Sequence, residues 1–214
     1  QSLWTEGRYE GDATVRVPLV YRALSSRRLL TMERIEGIPA TQPAALAAAG
    51  LDPGEIARRV ADLTLRQVFV HGFFHADPHP GNVHIMPGNV VCFLDFGLTG
   101  FLVRETRDTL AALLVAVARR DERAATQALL LLAGAELDPP RSGLEADVAE
   151  FIHRHFSGGG RELVFMRLLQ HLFQLTSRHD LALPSEVFMV VKALGQVEHL
   201  VRELSPGTDL LEQA

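Results

Sequence analysis

The sequence predicts an α+β fold with a small strand-rich beginning, a central hairpin and a large helical end. Three observations predict it. Two runs near the amino terminus, VRVPLVYRAL and RRLLTMERI, read as short strands around a turn at Ser25-Ser26. In the middle, VHIM and VVCFLD flank the turn Pro87-Gly88-Asn89. Beyond about residue 104, apolar residues recur at helical spacing.

Each element follows from local chemistry. Gly37-Ile38-Pro39 breaks the chain after the first two strands. An alanine-rich stretch then predicts a short helix ending at Gly50. Asp52-Pro53 reads as a cap followed by a first-turn proline, opening a helix through GEIARRVADLTLRQVFVHG. Ile56, Val60, Leu63 and Val70 share one face of it. After the hairpin, Leu110, Leu113, Leu114 and Val117 form one helical face, and ATQALLLLAG continues as a second helix. Further helices fit EADVAEFIHRHF, RELVFMRLLQHLF and SEVFMVVKALGQVEHLVREL. In the last of these, Val187, Val191, Leu194 and Val201 align. Pro139-Pro140 and Gly158-Gly159-Gly160 mark the loops between helices.

Composition bounds the function. The chain has 214 residues, 47% apolar and 22% charged, enough for one good core or two small lobes. A net charge of -5 argues against a nucleic-acid partner, which would demand a basic surface. Lys192 is the single lysine among 21 basic residues. The lone Cys92, inside the run VVCFLD, reads as a buried small hydrophobe. No apolar run reaches the ~20 residues needed to span a bilayer, and QSLWTEGRYE does not read as a signal peptide. A cytoplasmic setting is expected.

The stretch HADPHPGN, residues 75–82, admits two readings. His75, Asp77 and His79 alternate as metal ligands on a strand would. Pro78 and Pro80 argue against a regular strand, although a loop could still gather the three side chains. In the other reading, the loop presents one carboxylate and one amide to a nucleotide. Asp95-Phe96-Gly97 decides between them, because it arrives thirteen residues after Asn82 at the end of an apolar strand. Aspartate, four residues, asparagine, a hairpin and Asp-Phe-Gly follow one another in the order of the protein-kinase catalytic elements. A protein-kinase-like fold is expected, mostly its helical carboxyl-terminal lobe with a remnant of the amino-terminal sheet. Phosphoryl transfer calls for a carboxylate beside the attacking hydroxyl, here Asp77. It also calls for oxygen ligands to magnesium, here the Asn82 amide and the Asp95 carboxylate. Gly81 and Gly97 let the backbone bend beside those ligands. His75 is expected to brace the loop through a backbone hydrogen bond, and His79 to be structural.

HGFFHADPHPGNVHIM followed by VVCFLDFGLTG resembles the UbiB family of atypical kinase-like proteins, also called the aarF-domain or ABC1-kinase-like family. LLTMERIEGIP is similar to that family's segment entering the hinge between lobes, and LPSEVFMVVKALGQVEHLVREL to its late helix. The resemblance runs from about residue 14 to about residue 207. It implies residues 1–36 as the end of the upper lobe and 37–214 as the lower lobe. It also implies ATP and magnesium as cofactors, Asp77 as the catalytic aspartate, and Asn82 and Asp95 as metal ligands. The backbone of Glu33, Arg34 and Ile35 would be the adenine-contacting hinge. Ubiquinone or other isoprenoid-lipid metabolism is implied as the setting, with a lipid or quinone-precursor ligand and peripheral membrane association.

The chain departs from the family pattern at its start. The family's Lys-Gly-Gln-type motif, nucleotide-covering loop and strand lysine do not appear, and Lys192 falls in the last helix. Glu6 and Glu10 lie near the right end for a partner glutamate but sit in no clear motif. The expectation is a fragment or a truncated relative that, alone, binds nucleotide weakly and turns it over slowly. Two other function classes stay open. One is a non-catalytic kinase-like binding module. The other is a small-molecule phosphotransferase of the aminoglycoside or choline kinase type. Phe96 is expected to pack rather than touch substrate. His153, His155 and His171 lack zinc spacing. Arg27-Arg28 and Arg119-Arg120 read as solvated pairs, with anionic lipid headgroups as the alternative contact.

Overall fold

The computed structural model describes residues 11–135, 143–156 and 173–206. In chain order the strands are β1 (Val15–Arg16), β2 (Ile38–Pro39), β3 (Phe73–His75), β4 (Val83–Met86), β5 (Val90–Phe93) and β6 (Thr99–Phe101). The helices are α1 (Pro43–Ala48), α2 (Pro53–Leu65), α3 (Arg104–Ala118), α4 (Glu122–Leu132), α5 (Leu144–Phe156) and α6 (Ser185–Leu204). Residues 173–178 are also helical. The loops expected at Pro139-Pro140 and Gly158–Gly160 lie outside the described residues, as does most of the helix expected over RELVFMRLLQHLF.

Two compact units share these elements. The first gathers residues up to Thr64, then Asp77–Thr99 and the chain from Gln196. Its sheet has the order β1-β5-β4-β2. β5 is central, antiparallel to β4 and parallel to β1, with Val15 opposite Val91. Central placement explains its unbroken apolar run: Val91, Cys92 and Phe93 are all fully buried. β4 is flanked by β5 and the edge strand β2, and it alternates, with Val83 and Ile85 buried.

The expected pair of amino-terminal strands is mostly not ladder. Only Val15–Arg16 is strand; Arg22–Leu24 is a 3-10 turn. The arms meet through isolated bridges at Val20 with Met32 and Ser26 with Leu29. The reversal therefore falls on Arg27-Arg28, not Ser25-Ser26. Ser25 lies inside the arm, where its hydroxyl accepts from Thr31 N–H at 2.9 Å. Such side-chain bonds compete with a regular ladder. Ile38-Pro39, expected to break the chain, instead pairs with β4, Ile38 opposite Ile85. Proline is tolerated there because β2 is an edge. Gly37 permits the approach: a Cβ on it would lie 3.2 Å from both His84 Cβ and Ile85 O.

α1 ends where Gly50 turns left-handed at φ 73°. α2 opens as its cap predicts, with Asp52 Oδ1 accepting from Gly54 N–H at 2.9 Å and Glu55 N–H at 3.2 Å. Arg59 on α2 bonds Glu55 and also donates to the carbonyls of Gly88 and Asn89 at 2.9 and 2.8 Å. Asn89 Oδ1 accepts from Asp52 N–H at 3.0 Å. The turn of the β4–β5 hairpin is thus pinned to the start of α2, and the hairpin's open end carries Asn82 and Asp95.

The second unit holds residues 65–76 and 100–195. The helix expected through Gly72 changes character at Arg66–His71, which is a π-helix. The wider π turn delays the buried face. Ile56, Val60 and Leu63 are buried, then Gln67 and Val68, while Val70 is 63% exposed. Gly72 ends it at φ 65°. β3 pairs with β6 in a two-stranded sheet that local pattern did not reveal. α3 and α4 pack together and α4 meets α5. The turn from α3 is capped by Asp121, which accepts from Ala124 N–H at 2.9 Å. Phe173 and Phe188 stack with ring centroids 4.3 Å apart. Among the described residues, no helix is long and apolar enough to cross a membrane.

Candidate functional site

The loop ahead of β4 is held by its own side chains. Asn82 ends a 3-10 turn, Pro80–Asn82, and is buried. Its N–H donates to His79 O at 2.8 Å, and its side-chain Nδ2 donates to the carbonyl oxygen of Asp77 at 3.2 Å. The five-residue separation of Asp77 and Asn82 closes the loop on itself. With the amide nitrogen spent on Asp77, the amide oxygen is the atom left for a cation.

His79 Nδ1 accepts from Gly81 N–H at 3.1 Å. A Cβ on Gly81 would sit 2.9 Å from His79 Cε1, so the ring and the glycine occupy one tight corner. His75 lies on β3 in the second unit, fully buried, and its backbone N–H donates to Gln67 Oε1 at 3.1 Å. Among the described residues, no three His, Cys, Asp or Glu side chains come together as a metal group would.

Asp95 follows β5. Leu94 N–H donates to Asn82 O at 2.8 Å, so Leu94 stands opposite Asn82 and Asp95 is one residue beyond. Asp95 is exposed and left-handed at φ 53°, a conformation that aspartate tolerates better than most residues. Its Oδ1 accepts from Gly97 N–H at 3.2 Å, and a Cβ on Gly97 would lie 3.0 Å from that oxygen. Asn82 and Asp95 therefore share the open end of one hairpin and offer an amide oxygen and a carboxylate. That all-oxygen donor pair fits a hard divalent cation such as magnesium.

Gln196 was not singled out by sequence reasoning. It lies on α6, and its Nε2 donates to Asp77 Oδ1 at 2.8 Å. One signal was present: a polar residue whose helix neighbours Ala193 and Leu200 are both fully buried. Gln67, buried inside RQVFV, was missed for the same reason.

The expected hinge residues run through irregular backbone. Glu33 N–H donates to Leu19 O at 2.7 Å. The Glu33 carboxylate takes Arg16 Nη2 at 2.7 Å and Leu19 N–H at 3.1 Å. The Arg16 hydrogen bond, and then the Leu19 N–H, hold this carboxyl below the usual glutamate range. Arg34 is exposed and Ile35 half-buried. Among the described residues the N–H and C=O of Ile35 make no hydrogen bond. Burial pushes the Cys92 thiol up to about 12, so it stays a neutral packing group. Phe96 is half-buried. Arg27, Arg28, Arg119 and Arg120 are exposed, and Lys192 is exposed on α6. Glu6, Glu10, His171 and the His155 side chain lie outside the described residues.

Residues 5–129 match the ABC1 atypical kinase-like domain, and residues 148–209 match the UbiB helical domain. The chain is 32% identical over 212 residues to "Probable protein kinase UbiB" of Pseudomonas putida (strain W619), covering 96% of this chain and 39% of that protein. It is 33% identical over 202 residues to "Probable protein kinase UbiB" of Shewanella piezotolerans, covering 92% and 37%. It is 30% identical over 210 residues to an uncharacterized protein of Synechocystis sp., covering 96% and 36%. The chain thus spans well under half the length of these relatives. Their names and the first domain match agree with an α+β, kinase-like fold.

Proposed function

Because the chain belongs to the ABC1 atypical kinase-like family, we propose that it is an ATP-dependent phosphotransferase or ATPase whose chemistry sits on the 75–82 loop and the β4–β5 hairpin. Asp77 faces the acceptor, orients its hydroxyl or a water, and takes up the proton as the acceptor oxygen bonds to the γ-phosphorus of ATP and the bond from that phosphorus to ADP breaks, ADP leaving. Asn82 Oδ1 and the Asp95 carboxylate would hold magnesium, which would supply positive charge to offset the negative charge of the phosphates. The adenine ring lies against the backbone of Glu33, Arg34 and Ile35, where the Ile35 N–H and C=O make no hydrogen bond among the described residues. His75, Gly81 and Gly97 support the loop and the metal ligand.

The observation that most supports this reading is the bond from Asn82 to Asp77, with Asp95 one residue past Asn82's partner across the hairpin. The family resemblance extends the proposal to a lipid or isoprenoid-quinone precursor as the acceptor class. It also extends it to peripheral attachment at a membrane.

Asp95→Asn in the full-length gene product tests the reading. Removing the charge is expected to weaken Mg-ATP binding by about tenfold or more, equivalent to about 1.4 kcal/mol, and to abolish most turnover. Calorimetry gives the first and ADP release the second. Unchanged affinity together with unchanged turnover would sink the enzyme reading. Full function of that variant in cells would point instead to a non-catalytic module.

A further inference from the structure

Gln196 and Asp77 are 119 positions apart in sequence, yet Gln196 Nε2 lies 2.8 Å from Asp77 Oδ1. The rest of the glutamine is poorly served. Its Oε1 is buried and, among the described residues, accepts no hydrogen bond. The helix positions one turn before and after it, Ala193 and Leu200, are fully buried, as is the adjacent Val197. At such a border a methionine would fill a similar shape and leave no buried acceptor unmatched. Packing alone therefore favours another residue. What glutamine adds is one N–H aimed at a carboxylate, and a hydrogen bond to a charged group is among the stronger kinds.

We infer that Gln196 is a positioning residue for Asp77, setting the direction in which its carboxylate meets the acceptor. At least two separate elements then hold the same aspartate. Asn82, from within the loop, takes its backbone carbonyl at 3.2 Å. Gln196, from α6, takes its carboxylate. The loop bond fixes where Asp77 sits, and the helix bond fixes how its side chain is turned. The inference rests on Asp77 facing the acceptor, as proposed above. Gln196 makes no bond to Asn82, Asp95 or Ile35 among the described residues, so its loss acts on the reacting step rather than on nucleotide affinity. Small misorientations of a reacting group are enough to slow a reaction strongly.

The test compares Gln196→Met, Gln196→Glu and Asp77→Asn with the parent in the full-length gene product, by steady-state Mg-ATP turnover and thermal melting. Gln196→Met is expected to lower kcat by about tenfold, leave KM for ATP within about twofold and melt no lower than the parent. Gln196→Glu sets a second carboxylate against Asp77 and is expected to lose at least as much kcat. A Gln196→Met protein with parental kcat, beside an inactive Asp77→Asn, overturns this inference and leaves the proposed function standing. A Gln196→Met protein that loses kcat and melting temperature together also overturns it, because a fold-bracing glutamine would lose both. Parental turnover in Asp77→Asn, or a parent that does not turn over Mg-ATP, removes the assumed role of Asp77 and the inference with it.

Discussion

Gly100→Ala is the sharpest test of the packing in the second unit. Gly100 lies in β6, and the far edge of the Phe74 ring occupies the place its Cβ would take. A Cβ there would stand 2.2 Å from Phe74 Cζ, 2.5 Å from Cε1 and 2.7 Å from Cε2. Carbon atoms in contact prefer about 3.5–4.0 Å, so the ring must retreat by more than an ångström. Phe74 is fully buried, with no solvent to swing into. Overpacking of this kind costs about 1–3 kcal/mol. For a chain of this size each kcal/mol lowers the melting temperature by about 2–4 °C, so a fall of about 2–12 °C is expected. Circular dichroism during a thermal ramp measures it, and urea titration checks it independently. Phe74→Leu shortens the side chain, so the double variant Phe74→Leu/Gly100→Ala is expected to lose less than the sum of the single changes. A Gly100→Ala protein melting within a degree of the parent, with additive behaviour in the cycle, would refute the close approach of the ring.

Three further outcomes follow from particular contacts. Asp52→Ala removes the acceptor for two N–H groups at the start of α2 and is expected to cost about 1 kcal/mol in urea unfolding. Gly97→Ala sets a methyl 3.0 Å from Asp95 Oδ1 and is expected to weaken Mg-ATP binding several-fold with little change in melting temperature, read by calorimetry. The Glu33 carboxyl is held below its ordinary value of 4.5 by Arg16, so its contribution is present above that pH and is lost as pH falls through the depressed folded value. Melting followed from pH 6 downward should therefore show a steeper acid loss in the parent than in Glu33→Gln. Equal slopes would show that the pair contributes nothing measurable, as many exposed pairs do.

Much of the local structure was legible in the residues alone. Asp52-Pro53 announced the start of α2 because a cap and a first-turn proline act over a single turn of chain. VHIM, Pro87-Gly88-Asn89 and VVCFLD announced a hairpin because alternation and turn chemistry are equally local. The order of Asp77, Asn82 and Asp-Phe-Gly pointed to the kinase-like family, which the matched domains bear out. Other features left little local trace. Ile38-Pro39 read as a break, since nothing in three residues shows that an edge position beside Ile85 is waiting. Val70 read as a core residue because strict helical periodicity knows nothing of a π turn.

The amino-acid sequence by itself determined which segments become helix or hairpin and which residue types stand within five positions of Asp77, because these depend on interactions between near neighbours. Only the tertiary structure decided that β1 runs parallel to β5, that β3 finds β6, that Gln67 meets His75 and that Gln196 meets Asp77. Each of those pairings closes a longer loop, and its partner is chosen by the shape and unmet hydrogen bonds of a folded surface that no short window of sequence contains.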